Sequence, residues 1–206
     1  MISFFLKAFY PSLVWNIPSQ EAILYLTFDD GPHPAITPYV LNLLKRYDGK
    51  ATFFCIGENI KKYPDVFQRI ITEGHTVANH TYNHLNGWKT ETVDYVKNVE
   101  ACASMITLDN SIKPLFRPPY GRIKSSQIRK LKNKYRIIMW DVLSNDWNPL
   151  LTAEQCFKRV KRKSKAGSII VFHDSAKAEA RMKPALKDTL ELFSGKGYSF
   201  KAIPSA

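Results

Sequence analysis

The 206-residue sequence predicts an α/β fold, a distorted (β/α) barrel with seven or eight parallel strands in a single domain. Short apolar runs alternate repeatedly with longer segments of helical periodicity, a pattern typical of a parallel sheet with helices outside. Most of these runs are continuous rather than alternating, as in strands that are buried on both faces. About 200 residues is short for a complete eight-unit barrel, so a slightly smaller or incomplete barrel fits best. An open doubly wound sheet is the alternative.

Each strand is predicted from a short apolar run that is rich in β-branched or aromatic residues. The first run reads Ile-Leu-Tyr-Leu-Thr-Phe, and the sixth reads Ser-Ile-Ile-Val-Phe. The third and fourth runs are short, so they are weaker indications of strands. In chain order the predicted strands cover 23–28, 52–55, 76–78, 114–116, 136–140, 168–172 and 198–202.

Helices are predicted between the strands from apolar residues at helical spacing and from residues that favour helix ends. Thr37 is predicted to be the N-cap of the first helix, with Pro38 at its first position. Thr152 and Gln155 form a capping-box pattern before the fifth helix. The single domain covers 1–206, with a core over about 23–200 and an N-terminal extension over 1–22. The predicted helices cover 38–46, 64–73, 91–106, 124–133, 153–165 and 181–196.

The chain is strongly basic, with 30 Lys and Arg residues against 18 Asp and Glu residues and a formal net charge of +12. Such a charge favours anionic partners. No familiar recognition motif accompanies it, so specific nucleic-acid binding is not expected. Two groups of basic residues are either solvated faces or sites of peripheral contact with an anionic surface or polymer. They are Lys158, Arg159, Lys161, Arg162, Lys163 and Lys165, and Lys130, Lys132, Lys134 and Arg136.

The cysteines and the apolar segments indicate in which cellular compartment the protein is expected. Cys55, Cys102 and Cys156 are far apart and form no disulfide or metal-binding pattern, which favours a reducing compartment. Cys55 lies in an apolar run and is predicted to be a core residue. No run of ~20 mostly apolar residues predicts a transmembrane segment, and no secretory signal is recognised. A monomer located in the cytoplasm is the expectation from the sequence.

Five polar clusters come directly after predicted strands. Because all strands of a parallel barrel end on one face, where the active sites of such barrels are built, we expect these clusters to meet in one site. Taken alone, each cluster also has a structural interpretation; the first, for example, is typical of a turn. The clusters are Asp29, Asp30, Gly31 and Pro32, then 80–84, 117–121 and 141–147, and finally His173 with Asp174.

The first two clusters contain the residue types of a metal site. His80 and His84 are four positions apart, which on a helical turn would place both imidazoles on one side. With one aspartate they make a two-histidine, one-carboxylate set that leaves coordination positions open for water and substrate. The adjacent carboxylates of Asp29 and Asp30 are consistent with one residue binding a metal while the other acts as a base.

The remaining clusters contain candidates for acid–base chemistry. Arg117 lies between a phenylalanine and two prolines, a rigid setting in which arginine usually pairs with a carboxylate. His173 would have a raised pKa beside Asp146 and could then act as a general acid. His33 is interpreted as a neighbour of the site, and His75 as a structural residue at the N-terminal end of a strand.

These clusters, in this order, resemble the motifs of the polysaccharide deacetylase family, also called the NodB-homology domain or carbohydrate esterase family 4. The resemblance runs from about residue 23 to residue 198, nearly the whole chain. The matching motifs are Thr-Phe-Asp-Asp-Gly-Pro at 27–32, His-Thr-Tyr-Asn-His at 80–84, Arg-Pro-Pro-Tyr-Gly at 117–121, Asp-Trp at 146–147 and Ile-Ile-Val-Phe-His-Asp at 169–174.

The resemblance implies a distorted barrel and a hydrolase that removes N-acetyl groups from amino sugars with one divalent metal. Zn²⁺ is the expected metal, with Co²⁺, Ni²⁺ and Mn²⁺ as alternatives. By motif match, the metal ligands would be Asp30, His80 and His84. The substrate would be an N-acetylated glycan of the peptidoglycan or chitooligosaccharide type, with an anionic polymer favoured by the positive charge of the chain.

The resemblance also implies roles for the other motif residues. Asp29 would be the general base, oriented by Arg117. His173 would be the general acid, paired with Asp146. The backbone N–H of Tyr120 would help to hold the oxyanion that forms during hydrolysis. The substrate-binding residues would be Tyr120, Trp147 and Val171.

Two positions depart from the usual pattern of the family. Val171 stands where leucine is often found, and Leu143 stands where a polar residue is often found. These departures bear on acyl preference and substrate fit rather than on the reaction class. The alternatives left open are an O-acetyl esterase acting on an acetylated polysaccharide and a non-catalytic carbohydrate-binding barrel. Members of the family usually act outside the cytoplasm, which suggests a cell-envelope substrate.

Overall fold

The structure, a computed structural model, describes residues 10–106 and 113–204. Its strands pair in parallel to form one curled sheet, with helices packed outside, so the predicted distorted (β/α) barrel is confirmed. The strands are β1 (Ile23–Asp29), β2 (Thr52–Cys55), β3 (Thr76–Asn79), β4 (Leu115–Phe116), β5 (Arg136–Ile137), β6 (Val142–Leu143), β7 (Ile169–His173) and β8 (Ser199–Phe200). The helices are α1 (Ile36–Lys45), α2 (Gly57–Lys62), α3 (Pro64–Thr72), α4 (Thr92–Ala103), α5 (Ser125–Leu131), α6 (Ala153–Lys163) and α7 (Glu179–Ser194).

Strand β1 lies in the interior of the sheet, whose strand order is β5-β4-β3-β2-β1-β7-β6. All seven β1 residues are buried, as expected for a strand covered on both faces. Its C-terminal half pairs with β2, its N-terminal half pairs with β8, and β7 pairs along its other edge. The register places Asp29 opposite His173, so two predicted site residues from distant motifs are neighbours across the sheet.

The largest departure from the predicted elements follows β5. The predicted strand over 136–140 is shorter in the structure: only Arg136 and Ile137 pair with β4. The chain then forms a second short strand, β6, which pairs with β7 and was not predicted. Asp141 lies between the two strands, and its carboxylate accepts hydrogen bonds from the Ser168 hydroxyl and the Ile169 N–H at 3.0 and 2.8 Å. A strand of two residues is too short to produce a pattern in the sequence.

The predicted N-cap of α1 is wrong. The helix begins at Ile36, and Thr37 lies buried inside its first turn. The Thr37 hydroxyl accepts a hydrogen bond from the His33 N–H at 2.8 Å and donates one to Asp174. His33 Nδ1 accepts long hydrogen bonds from the Ala35 and Ile36 N–H groups, at 3.3 and 3.4 Å. His33 therefore supports the start of α1, while Thr37 contacts a buried carboxylate. The capping box of Thr152 and Gln155, by contrast, is confirmed.

Part of the predicted N-terminal extension lies in the open side of the curled sheet. Val14 forms a parallel bridge with Ile138, just after β5, and Asn16 forms an antiparallel bridge with Ser168, just before β7. The side chains of Leu13 and Trp15 are buried in the core beneath β4 and β5. Residues 13–16 thus lie between the residue that follows β5 and the residue that precedes β7.

The predictions for Cys55 and His75 agree with the structure. Cys55, Cys102 and Cys156 are buried and free, and Cys55 is the core residue that its apolar run predicts. His75, just before β3, accepts a hydrogen bond from the Ala51 N–H at 3.1 Å, and burial lowers its pKa to about 4. It is therefore the structural residue that the sequence predicts. In the two described stretches of the chain, no helix has the length and apolar character needed to cross a bilayer.

Candidate active site

Residues from all five polar clusters meet at the C-terminal ends of the strands, around a cavity of about 460 Å³. Asp141, of the fourth cluster, lies instead beside the start of β7. Arg117 and Asp146 lie behind the wall of this cavity and are fully buried. The cavity lining also includes Trp140, Leu143, Arg122 and Lys177, of which only Leu143 was singled out from the sequence. The predicted site residues that line the cavity are Asp29, Asp30, His80, His84, Tyr120, Trp147, Val171 and His173.

Asp30, His80 and His84 form a cluster of potential metal ligands. One ligand atom from each residue lies within 4.8 Å of the other two. Asp30 Oδ1 is 3.2 Å from His84 Nε2 and 3.7 Å from His80 Nε2. This oxygen is buried and has no hydrogen-bond partner among residues 10–106 and 113–204. A buried carboxylate oxygen without a partner is costly, and a cation bound between the three side chains would remove that cost.

The second nitrogen of each histidine contacts a neighbouring group. His80 Nδ1 lies 2.8 Å from the carbonyl oxygen of Arg117, which can only accept, so Nδ1 carries the proton and Nε2 presents its lone pair. His84 Nδ1 lies 3.1 Å from the hydroxyl of Tyr120. Burial lowers the pKa of His80 to about 4, so this imidazole is neutral near pH 7. The donor set therefore fits a divalent cation that accepts imidazole and carboxylate ligands.

The geometry of the histidine pair does not come from a helical turn, as the spacing predicted. Residues 80–84 form an irregular loop in which Thr81 and His84 have φ angles of 66° and 61°. The Asn79 side chain accepts the Thr81 N–H and donates to the Val99 carbonyl, both at 2.8 Å, and so holds the start of this loop. Asp30 also has a positive φ, of 80°. Unfavourable backbone angles of this kind concentrate at functional sites.

Asp29 is held by Arg117, the largest fully buried side chain among the described residues. Arg117 Nη1 donates to Asp29 Oδ1 at 2.6 Å and to the Thr27 hydroxyl at 2.8 Å. Its Nη2 donates to the Met139 carbonyl at 3.0 Å, and its guanidinium lies 4.0 Å from the centre of the Phe54 ring. These contacts fix the guanidinium and therefore the orientation of the Asp29 carboxylate at the cavity wall.

His173 and Asp146 form a second charged pair on the other side of the cavity. Asp146 Oδ1 lies 2.7 Å from His173 Nδ1, and its Oδ2 accepts the His173 backbone N–H at 2.8 Å. Burial opposes protonation of the imidazole, but the charge and the hydrogen bond of Asp146 outweigh it and raise the pKa of His173 to about 9. Because Asp146 is bonded to Nδ1, the proton on Nε2 is the one available to a ligand.

Asp174 was noted in the sequence beside His173, but its burial and its contacts with Thr37 and Gly31 were not predicted. Its carboxylate is fully buried, accepts the Thr37 hydroxyl, and lies against Gly31 so closely that a Cβ on that glycine would collide with it. Burial raises the pKa of Asp174 to about 7. Glycine, which has no Cβ, is therefore the one residue at position 31 that leaves room for this carboxylate.

The cavity wall combines apolar and aromatic side chains. Val171 and Leu143, the two departures from the usual pattern of the family, both line it. Tyr120 and Trp147 are partly open to solvent, with 59% and 39% of their surfaces exposed. The ammonium group of Lys177 lies 5.4 Å from the centre of the Trp147 ring. This mixture of aromatic surfaces and polar groups is typical of a small-molecule or sugar site.

Comparison with known proteins agrees with this geometry. The family model described as polysaccharide deacetylase matches residues 16–138. A peptidoglycan-N-acetylglucosamine deacetylase of Bacillus cereus is 32% identical over 93% of this chain and 91% of its own length. A chitooligosaccharide deacetylase of Azorhizobium caulinodans is 31% identical over 92% of this chain and 96% of its own length.

A solved structure is similar over almost the whole fold. The crystal structure of a peptidoglycan N-acetylglucosamine deacetylase, in complex with 4-naphthalen-1-yl-N-oxidanyl-benzamide, superposes with a TM-score of 0.88. The two chains are 30% identical, and the match covers 98% of this chain and 95% of that one. With the family model, both relatives and the fold in agreement, the chain belongs to the polysaccharide deacetylase family.

Proposed function

We propose that the protein is a metal-dependent hydrolase that removes N-acetyl groups from amino sugars of a peptidoglycan or chitooligosaccharide, releasing acetate and a free amine. The observation that carries the proposal is the convergence of three units on one cavity. These are the Asp29–Arg117 pair, the His173–Asp146 pair and the cluster of Asp30, His80 and His84. The names of the Bacillus cereus and Azorhizobium caulinodans relatives support the same reaction and the same two substrate types.

The metal proposed for the site is Zn²⁺, held by Asp30, His80 and His84. When bound, it would polarise the acetyl carbonyl and lower the pKa of an attacking water. In this proposal Asp29 accepts the proton of that water, while Arg117 keeps the carboxylate turned towards the cavity. The Tyr120 N–H donates a hydrogen bond to the developing oxyanion, a type of contact that contributes about 3 kcal/mol to catalysis.

His173 acts in the second half of the reaction. An amine is a poor leaving group unless it receives a proton, so a general acid must stand on its side of the scissile bond. His173 donates the proton from Nε2, and Asp146 stabilises the charged imidazolium until that transfer. Val171 and Leu143 contact the acetyl group or the sugar, and Trp147 provides an aromatic wall for the substrate.

Acetate release tests the proposed function directly. Chelator-stripped protein would be assayed with and without added Zn²⁺ on N-acetylated chitooligosaccharides, on peptidoglycan and on O-acetylated xylan. We expect Zn²⁺ to restore release from an N-acetylated substrate. Release from acetylated xylan alone would identify an O-acetyl esterase instead. No release from any of them with one metal bound per chain would favour a non-catalytic carbohydrate-binding barrel.

The pKa of His173 predicts the alkaline limit of activity. The protonated imidazole is the form that donates, so kcat/KM should fall as the pH rises through about 9, the pKa of His173. In Asp146→Asn the main contribution that raises this pKa is lost, so the fall should begin at lower pH. The measurement is kcat/KM against pH for the Zn²⁺-loaded proteins, with Asp48→Asn, an exposed change at the far end of the barrel, as the control. An identical alkaline limit in Asp146→Asn and the wild type would contradict the role of His173.

A further inference from the structure

Trp88 is an exposed tryptophan to which the proposed active site gives no role. Its side chain is 60% exposed and lies in a single turn of 3-10 helix, Gly87–Lys89, between β3 and α4. Tyr120 and Trp147, the other exposed aromatic side chains among residues 10–106 and 113–204, line the cavity, whereas Trp88 does not. A single exposed apolar side chain is common on protein surfaces. What distinguishes Trp88 is how its ring is held and what lies against it.

The ring of Trp88 is held in place by buried contacts. Its Nε1–H donates to the Ile123 carbonyl at 3.3 Å, and the buried Gln127 side chain donates to the Gly87 carbonyl at 2.9 Å. A Cβ at Gly87 would lie 2.4 Å from the Arg122 carbonyl oxygen, so the two chain segments pack directly against each other. The ring is therefore both exposed and fixed in position, which lowers the entropy cost of binding a ligand against it.

Arg122 connects this tryptophan to the catalytic cavity. It lines the cavity, and its guanidinium lies 5.1 Å from the centre of the Trp88 ring. It follows Tyr120 by two positions, so their Cα atoms are at most ~7 Å apart. The Tyr120 hydroxyl is 3.1 Å from Nδ1 of His84 in the proposed metal cluster. Tyr120, Arg122 and Trp88 thus form a continuous row from the metal cluster to the edge of the cavity.

The guanidinium of Arg122 forms no ion pair within the described parts of the chain. The two carboxylates that line the cavity are engaged elsewhere, since Asp29 pairs with Arg117 and Asp30 belongs to the metal cluster. Lys177, the other cation of the lining apart from the histidines, lies after β7, whereas Arg122 lies after β4. These strands stand on opposite sides of β1, β2 and β3 in the sheet, so the two cations lie on different flanks of the cavity.

The acidic residues that follow Trp88 in the sequence do not neutralise Arg122 either. Glu91 pairs with Lys124 at 3.7 Å, and Asp94 lies in the first turn of α4; neither carboxylate is within ion-pair distance of the guanidinium. The N–H donors of a guanidinium lie in its plane, and a planar carboxylate can accept two of them side by side. Arg122 therefore offers a site for a carboxylate directly beside an aromatic surface.

A sugar ring and a carboxylate are the chemical groups that match this pair of side chains, since the apolar faces of sugars pack on aromatic rings. We propose that Trp88 and Arg122 form a subsite at the edge of the cavity that binds a neighbouring sugar residue bearing a carboxylate. This proposal rests on the proposed function, because it places that sugar in the same glycan as the N-acetylated sugar in the cavity. Peptidoglycan carries carboxylates and chitooligosaccharides do not, so the subsite favours peptidoglycan.

Calorimetric binding to the chelator-stripped, full-length protein tests the subsite without hydrolysis. The probes are a tetrasaccharide that alternates N-acetylglucosamine with N-acetylmuramic acid, and the same tetrasaccharide with its carboxyl groups converted to primary amides. We expect the wild type to bind the acid form about tenfold more tightly, and this preference to shrink as salt increases. Arg122→Gln should abolish the preference by weakening binding of the acid form alone. Trp88→Ala should weaken binding of both forms roughly fivefold, and Trp88→Phe should recover most of that loss.

Two variants control for the loss of a positive charge. Arg46→Gln makes the same substitution at an exposed arginine that has no ion pair with any described residue and lies in the turn from α1 to β2, so it should bind both probes as the wild type does. Lys177→Gln removes the other cation of the cavity lining and should keep most of the preference. All of these charge variants should keep the wild-type melting temperature.

Three results would overturn the subsite: equal affinity of the wild type for the two probes, binding of neither probe, or equal loss of the preference in Lys177→Gln and Arg122→Gln. The last of these would mean that the charge of the whole cavity, and not one subsite, selects the acid form. Acetate release tests the proposed function separately. A protein that releases no acetate but prefers the acid form through Arg122 would contradict the proposed function and still support the subsite.

Discussion

Asp29→Asn is expected to reduce the rate of acetate release by roughly a thousandfold in the Zn²⁺-loaded protein, within the range for loss of a general base. The amide of asparagine cannot take up the proton of the attacking water. Its oxygen can still accept the hydrogen bond that Arg117 Nη1 donates to Asp29 at 2.6 Å, so the local geometry should persist. Asp30, His80 and His84 are unchanged, and the variant should bind one metal per chain. Steady-state kinetics and metal analysis of the same preparation provide the measurement.

The control is the same Asp-to-Asn substitution at a position outside the proposed active site. Asp48 is exposed in the turn between α1 and β2, at the opposite end of the barrel, and Asp48→Asn should retain the wild-type rate. Thermal unfolding of both variants would separate a loss of folded protein from a loss of catalysis. A rate close to that of the wild type in Asp29→Asn, with metal bound, would show that another group accepts the proton.

The part of the fold that the sequence predicts well is the part that positions the site. Continuous apolar runs predict buried parallel strands, and parallel strands all end on the same face of the sheet. That rule alone predicts that Asp29, at the end of β1, and His173, at the end of β7, lie close together. The structure places them opposite each other in the strand register. Long-range convergence could therefore be inferred before any side-chain geometry was known.

Short elements could not be predicted, because they depend on distant partners. Strand β6 has only two residues, Val142 and Leu143, and it exists because β7 offers an unpaired edge there. Helix α2 follows β2 after a single residue and was missed for a similar reason: its six residues are too few for a helical pattern. Thr37 has the composition of an N-cap, yet its hydroxyl is bonded to Asp174, 137 positions away.

The backbone conformation of the loop that carries His80 and His84 could not be predicted from the sequence either. The spacing of His80 and His84 indicated that both rings face one point, which the structure supports, but it suggested a helical turn. The actual loop uses left-handed φ angles at Thr81 and His84; such angles are uncommon outside glycine, and they are least expected at a β-branched residue such as Thr81. Such angles are set by tertiary contacts, here the hydrogen bonds of Asn79 to Thr81 and to helix α4, and no local propensity predicts them.

Arg117→Met is expected to lower the free energy of unfolding by about 3–5 kcal/mol, the cost of leaving a buried charge without its partner. Methionine has a comparable length, but it cannot donate hydrogen bonds to Asp29, Thr27 or the Met139 carbonyl. Asp29 is only 4% exposed, so water cannot replace the lost contacts fully. Activity should fall as well, because the orientation of the proposed base is lost. Denaturant unfolding of the wild type and the variant gives the stability difference.

A double variant separates loss of the ion pair from loss of packing. Asp29→Asn removes the carboxylate charge that Arg117→Met would leave buried without a partner. Arg117→Met should therefore lower the free energy of unfolding less in that background than in the wild type. The guanidinium also lies over the Phe54 ring at 4.0 Å, and methionine retains part of that apolar contact. Equal costs in the two backgrounds would mean that Arg117 acts mainly through its contacts with Phe54 and the backbone carbonyls. A smaller cost would identify the Asp29–Arg117 pair as a coupled unit, in which the arginine makes it possible to bury the proposed base beside the cavity.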